Sequence, residues 1–258
     1  MLMILSPAKT LDYASPVPAL PLTTPDFVKE AKALIAILRE LSVQDVAALM
    51  KLSDKLAALN VARYGDWSHQ FTEANSRAAV LAFKGDVYEG MQAWTFTGDD
   101  HLFAQRHLRI LSGLYGLLRP LDRLQPYRLE MGTSLSNPKG NSLYAYWGDT
   151  IANTLNAALA EQGDDILVNL ASEEYNKAAL TKALKARTIT PQFREEKDGK
   201  FKMVSFYAKR ARGLMASHIV RERLENPEHL KKFDADGYGF NRTLSSGDTW
   251  VFTRRYPG

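Results

Sequence analysis

Asp165-Ile166-Leu167-Val168-Asn169-Leu170 is followed at once by Ala171-Ser172-Glu173-Glu174. The apolar run in the first segment predicts a strand, and Ser172 opens a helix directly behind it. Outward from this unit the elements keep changing type. Upstream, Leu143–Leu159 reads as a helix. Downstream, Arg187–Arg194 and Lys200–Phe206 flank Asp198-Gly199, a strong hairpin signal. Ala208–Leu224 then reads as a basic helix, and Ser246-Gly247-Asp248 as the turn of a last hairpin carrying Trp250 and Phe252.

At the other end, Leu2–Leu5 predicts a short buried strand. Ser6 to Pro25 is irregular because Pro7, Pro16, Pro18, Pro21 and Pro25 interrupt it. Thr24 with Pro25 predicts a helix start, Ser42 with Asp45 a capping box, and Ser53 a third helix running to Arg63. Ala79–Phe83 fits a buried strand or a helix end. Asp99–Leu111 reads as an amphipathic helix with Leu102, Phe103, Leu108 and Leu111 inward, and Tyr127–Met131 as a strand. The elements lack a strict βαβ rhythm, and no glycine-rich dinucleotide fingerprint follows a strand. The expected fold is a mixed α/β (α+β) single domain covering residues 1–258.

The chain has 258 residues, 45% apolar and 24% charged, with no cysteine. Disulfides, thiol nucleophiles, zinc knuckles and cysteine-ligated clusters are therefore excluded. No run approaches the roughly 18 apolar residues of a membrane span. Met1–Leu5 is too short for a signal peptide and has no basic residue before it, so a cytoplasmic protein is expected. The formal charge is +4, but residues 182–212 hold ten Lys/Arg against three acids. That local excess suggests a polyanion partner. The five histidines include no pair at helical ligand spacing, and Glu-x-x-His is absent. No metal site and no cofactor are expected.

Leu111-Ser112-Gly113-Leu114-Tyr115-Gly116-Leu117-Leu118-Arg119-Pro120 is the most suggestive local feature. Glycines around an apolar pair after a helix resemble the turn of a helix-hairpin-helix module, whose backbone N–H groups face a phosphate. Arg106, Arg109, Arg119 and Arg123 surround it. A plain glycine cap followed by a turn explains the same spacing. Phe206-Tyr207-Ala208-Lys209-Arg210-Ala211-Arg212 interleaves aromatic and basic residues and suits a nucleic-acid groove. Its alternative is a core face with Phe206 buried and the cations solvated. Ser6-Pro7-Ala8-Lys9 has Ser-x-x-Lys spacing, but a strand precedes it where the serine-enzyme pattern needs a helix.

Several blocks together resemble one family. They are Ser6–Thr10, Phe83-Lys84-Gly85-Asp86-Val87-Tyr88, Leu111–Gly116, Arg119-Pro120-Leu121-Asp122, Pro126–Gly132, Asn169-Leu170-Ala171-Ser172 and Phe206-Tyr207-Ala208-Lys209. The likeness is to the YaaA family of bacterial peroxide-stress resistance proteins, and it runs from residue 2 to about 240. The resemblance implies a cytosolic protein that limits free iron and so iron-driven DNA damage under hydrogen peroxide. It also implies a positively charged cleft, a helix-hairpin-helix element and binding of double-stranded DNA.

Two functions follow from the residues and the resemblance together. The first is DNA binding without strong sequence specificity, through Arg109, Ser112, Gly113, Gly116, Arg119, Lys209, Arg210 and Arg212. The second is an enzyme acting on a nucleic acid or nucleotide, with Lys9, Lys84, Asp86, Tyr115, Arg128, Glu130, Ser172 and Lys209 as candidate catalytic groups. A buried polar network is the alternative for that second set. Neither expectation includes a membrane.

Overall fold

A computed structural model describes residues 1–257, and the chain is organised around an eight-stranded sheet. Its strands are β1 (Leu2–Leu5), β2 (Leu108–Ser112), β3 (Gly116–Leu118), β4 (Ile166–Leu170), β5 (Arg187–Lys197), β6 (Lys200–Lys202), β7 (Gly239–Phe240) and β8 (Thr249–Arg255). In space they run β7-β8-β5-β4-β1-β2-β3, with β6 paired to β5. The inner strands β8, β5, β4, β1 and β2 are mutually parallel. Taken in chain order these five lie 2-1-3-4-5 across the sheet, so the direction of travel reverses between β1 and β4.

All four residues of β1 are buried, and Leu167, Val168, Asn169 and Leu170 of β4 are buried beside them. Continuous apolar runs of this kind are what a parallel strand covered on both faces requires. Buried Asn169 ends β4, its Oδ1 accepting from the Ala171 amide at 3.1 Å. Buried apolar side chains from both ends of the chain form one connected core.

Besides the single turn Ala79–Ala82, the α-helices are α1 (Val28–Arg39), α2 (Val43–Met50), α3 (Asp54–Asp66), α4 (Asp86–Met91), α5 (Gly98–His107), α6 (Leu143–Trp147), α7 (Thr150–Glu161), α8 (Glu173–Ala179) and α9 (Ser205–Arg221). The Ser42–Asp45 capping box forms as the sequence predicts. The β5–β6 hairpin turns at Asp198 (φ 53°) and Gly199 (φ 71°), the positive-φ pair of a two-residue hairpin loop. The last hairpin, β7 with β8, is also present.

Four expectations are corrected. The helix predicted over 99–111 ends at His107, and Leu108–Ser112 continues as strand β2. Its β-branched Ile110 is fully buried, paired with Leu5 of β1 and Leu118 of β3, where sheet pairing outweighs helical periodicity. Leu102, expected inward, is 46% exposed. Leu143–Leu159 is two helices, because Gly148 adopts φ 47° and breaks the run. Residues 127–131 form no strand.

A fifth correction bears on function. Residues 111–120 form a β-hairpin between β2 and β3 and not a helical one. Its glycines serve packing: a Cβ on Gly113 would stand 2.2 Å from the Leu129 carbonyl oxygen, and one on Gly116 2.6 Å from the Trp147 ring.

Candidate functional site

The parallel strands set the site. Ligands of open α/β sheets bind outside the carboxyl ends of the strands, where the strand order reverses. Here that point lies between β1 and β4, and the chain leaving those strands is Ser6-Pro7-Ala8-Lys9 and Ala171-Ser172. The Ser172 amide donates to Ser6 Oγ at 2.8 Å, and the Ser6 hydroxyl donates to Ser172 Oγ at 3.1 Å. Tyr88 on α4 donates its hydroxyl to the Ser6 carbonyl at 3.1 Å. Burial pushes the Tyr88 phenol well above its ordinary pKa, so it remains a proton donor in this bond.

A second layer of charge surrounds these serines. Lys9 Nζ lies 2.6 Å from Glu130, and Arg128 Nη2 lies 2.9 Å from the same carboxylate. Burial works to raise the Glu130 pKa, but the bonds to Lys9 and Arg128 outweigh it and hold the carboxyl below its usual range. Glu174 accepts from the Gly132 amide at 2.9 Å. Lys84 pairs with Thr10 across a short antiparallel bridge and reaches Asp12 at 3.5 Å. Asp86, the first residue of α4, is half-buried, with no hydrogen bond or ion pair from its carboxylate among the described residues.

α9 brings a third set of groups to the same edge. Val168 of β4 pairs with Ile189, so β5 runs on to Lys197 well past the end of β4 at Leu170. After β6 returns, α9 starts beyond the carboxyl edge and runs back along the sheet. Its far end meets α5, where Arg223 pairs with Asp100 at 2.6 Å. Close contact with α4 fixes the track of α9: a Cβ on Gly213 would lie 1.8 Å from Val87 O, and one on Gly90 2.1 Å from Arg210 O. Lys209 and Lys202 are exposed, and Arg210 approaches Asp236 at 3.9 Å. Arg212 is half-buried, burial lowers its pKa, and no acid pairs with it among the described residues.

The candidate residues therefore divide. Lys9, Arg128, Glu130 and Ser172 lie around the carboxyl edge, Lys84 and Asp86 flank it through the Thr10 bridge and the start of α4, and Lys209 and Arg212 stand on α9, which packs against α4. Tyr115 does not join them. It is fully buried and accepts from Trp67 Nε1 at 2.8 Å, and burial raises its phenol pKa. Ser112 is equally buried, 2.6 Å from the Tyr127 hydroxyl. Gly113 and Gly116 are closed off by the contacts given above, so no backbone amide of that hairpin is open to a phosphate.

Arg109 and Arg119 lie at the opposite, amino-terminal edge, around a cavity of 520 Å³ shared with Met1, Gln162 and Asp164. Arg109 donates to the carbonyls of Gln105 and Leu108, and Arg119 pairs with Asp122 at 3.0 Å and Asp26 at 3.1 Å. On sequence Ser6 is set aside as a serine-enzyme match, and Tyr88, Lys200 and Lys202 are not among the expected site residues. The signal for Ser6 was its place directly after a buried strand, which becomes meaningful only once the strand order is known.

Comparison with known proteins covers nearly the whole chain. The profile of the family described as peroxide stress protein YaaA matches residues 1–244. The UPF0246 protein RSc2009 of Ralstonia nicotianae is 56% identical over 255 residues, covering 99% of each chain. The chain belongs to the peroxide stress protein YaaA family.

Proposed function

We propose that this protein acts in peroxide defence by binding double-stranded DNA through its phosphates, with little dependence on sequence. One observation carries the reading: the β5–β6 hairpin and the start of α9 hold exposed apolar side chains among exposed lysines. Phe201 is 38% exposed, Met203 52% and Phe206 55%, beside Lys200, Lys202 and Lys209. A core role for Phe206, the alternative weighed from sequence, does not fit that exposure. Cations there neutralise phosphates and release counterions, while the apolar groups rest against sugars or bases. In this reading a positively charged cleft runs between this arm and the Lys9–Lys84 edge. Ferrous ions held loosely on the backbone are among the counterions displaced, and this links DNA binding to less iron-driven damage.

In the second half of this reading the helical hairpin that grips DNA is α2–α3, not 111–120. Lys51 in left-handed conformation (φ 53°) makes the turn, with Lys55 exposed behind it. The test is fluorescence anisotropy of an unrelated-sequence duplex across a salt series. Log affinity should fall linearly with log salt, each engaged cation adding about 0.9 to the slope. Lys200→Glu with Lys202→Glu should lower that slope by about 2. A folded variant with unchanged affinity and slope removes the arm from the interface. In a hydroxyl-radical cleavage assay with ferrous iron and peroxide, the wild type should protect the duplex and the double variant should not.

A second reading rests on the switch-point position of Ser6 and Ser172: an enzyme acting on a nucleotide or nucleic acid. It expects slow turnover within a nucleotide panel, abolished by Ser6→Ala with duplex affinity retained. No turnover by the wild type retires it.

A further inference from the structure

Residues 12–23 leave the body at Asp12 and return at Thr23. Asp12 closes a tight turn, accepting from the Ala14 and Ser15 amides and the Ser15 hydroxyl at 2.7–3.0 Å. Thr23 is tied to Leu121 O at 2.9 Å through its amide and to Asp122 at 2.6 Å through its hydroxyl. Between these anchors Pro16, Pro18 and Pro21 lack amide donors. Among the described residues no backbone hydrogen bond joins 16–22 to the protein. The segment is a strap held at its two ends.

Beneath it lie two cavities of 320 and 400 Å³ that share Val17, Pro18, Arg77 and Leu81 as walls. Together they reach the size of a small-molecule site. Arg123 lines the larger one, and its Nη1 is buried without a hydrogen-bond partner. No acid pairs with Arg123 among the described residues. A buried N–H with no acceptor is rare in native proteins and marks a place where a partner is missing. Arg77 stands on the shared wall, 2.9 Å from Asp12 O and 3.7 Å from Asp12 Oδ1, with its guanidinium 5.5 Å above the Tyr13 ring. The acids on these walls are accounted for: Asp12 is engaged by Arg77 and Lys84, while Glu73 and Glu89 are exposed. The smaller cavity ends at Trp94, which is 52% exposed, whereas the other three tryptophans are at most 4% exposed.

We infer that the paired cavities under the strap form a binding site for a small organic oxyanion, its charged head on Arg123 beside Arg77 and its apolar body between Val17, Pro18 and Leu81 toward Trp94. A planar guanidinium with an unpartnered N–H matches a phosphate or carboxylate in two parallel hydrogen bonds. The surrounding valine, prolines and leucine match an apolar or aromatic body. This inference does not rest on DNA binding: the smaller cavity shares Lys84 and Tyr88 with the carboxyl-edge residues, but the charged head sits in the larger one, whose walls include neither.

The test uses the full chain, with adenosine monophosphate and decanoate as separate oxyanion probes and adenosine as the uncharged control. Calorimetry measures affinity, and acrylamide quenching reports on Trp94 as the exposed indole. One or both oxyanions should bind saturably and shield Trp94, and adenosine should do neither. Binding of the monophosphate alone assigns a phosphate ligand, and of decanoate alone a carboxylate. Arg123→Met should weaken binding about tenfold or more without lowering the thermal midpoint, since it removes an unpartnered buried guanidinium. Because Arg123 sits on a short strand, Val17→Phe on the strap provides an independent block, filling the groove without touching the core. Failure of both oxyanions to bind at millimolar concentration overturns the inference. So does equal binding of adenosine, or undiminished affinity in both variants.

Discussion

Glu130 shows how single residues separate chemistry from packing at this edge. Its carboxylate lies between Lys9 and Arg128, and its pKa is lower in the folded protein than in the unfolded chain. Stability from this group is therefore present above the ordinary carboxylate range and lost as pH falls through the folded pKa. Asp12 carries the same sign, through its bonds from Ser15 and Ala14 and the nearby Lys84. Urea midpoints should fall with acidification in the wild type and fall less steeply in Glu130→Gln. Parallel curves for the two proteins exclude Glu130 from that dependence. Tyr115 makes the opposite case. Tyr115→Phe removes the acceptor of a buried Trp67 N–H and should cost about 1–3 kcal/mol in urea denaturation, with duplex affinity unchanged. The residue types were plain in the sequence, but Tyr115 resembled a site residue because a buried structural tyrosine and an exposed catalytic one have the same local sequence.

At the scale of elements, the crossing of α4 over α9 is the joint that holds α9, with Lys209 and Arg212, against the helix carrying Tyr88. It depends on Gly90 and Gly213, where any side chain meets a carbonyl of the opposite helix. Gly213→Ala should destabilise by about 3 kcal/mol, the upper end of overpacking costs, with near-native thermal unfolding as the contrary result. It should also weaken duplex binding more than its stability loss explains, because α9 shifts. Elements closed by local chemistry were legible: the Ser42–Asp45 box, the Asp198-Gly199 turn and the buried runs of β1 and β4. The helix over 99–111 was not, since Leu108–Leu111 satisfies helical periodicity and becomes a strand only because β1 offers it an open edge.

Across the whole molecule, the parallel strands give the two edges different roles. Lys9 and Lys84 lie along the carboxyl edge with Lys209 and Arg212 on α9, and Arg109 with Arg119 lie at the other. One straight duplex along the carboxyl edge does not reach both. Lys209→Glu with Arg212→Glu should reduce duplex affinity by about tenfold or more at low salt, whereas Arg109→Glu with Arg119→Glu should change it much less. Equal losses in folded variants place the DNA across both edges and require a different docking. No helix among the described residues is long and apolar enough to cross a membrane.

The sequence by itself determined the mixed α/β character, the absence of thiol chemistry, the basic block over 182–212 and most of the residues that meet around Ser6. The first three follow from composition, caps, turns and short-range periodicity, which act within a few residues; the residues around Ser6 come from the blocks that resemble the family. The tertiary structure alone decided the strand order, the reversal between β1 and β4, the burial of Tyr115 and the hairpin glycines, and the unpartnered N–H of Arg123 beneath the strap. Those properties depend on contacts between segments as many as about 160 residues apart, such as Ser6 with Ser172. Such contacts are set by how the whole core packs, and no local pattern records them.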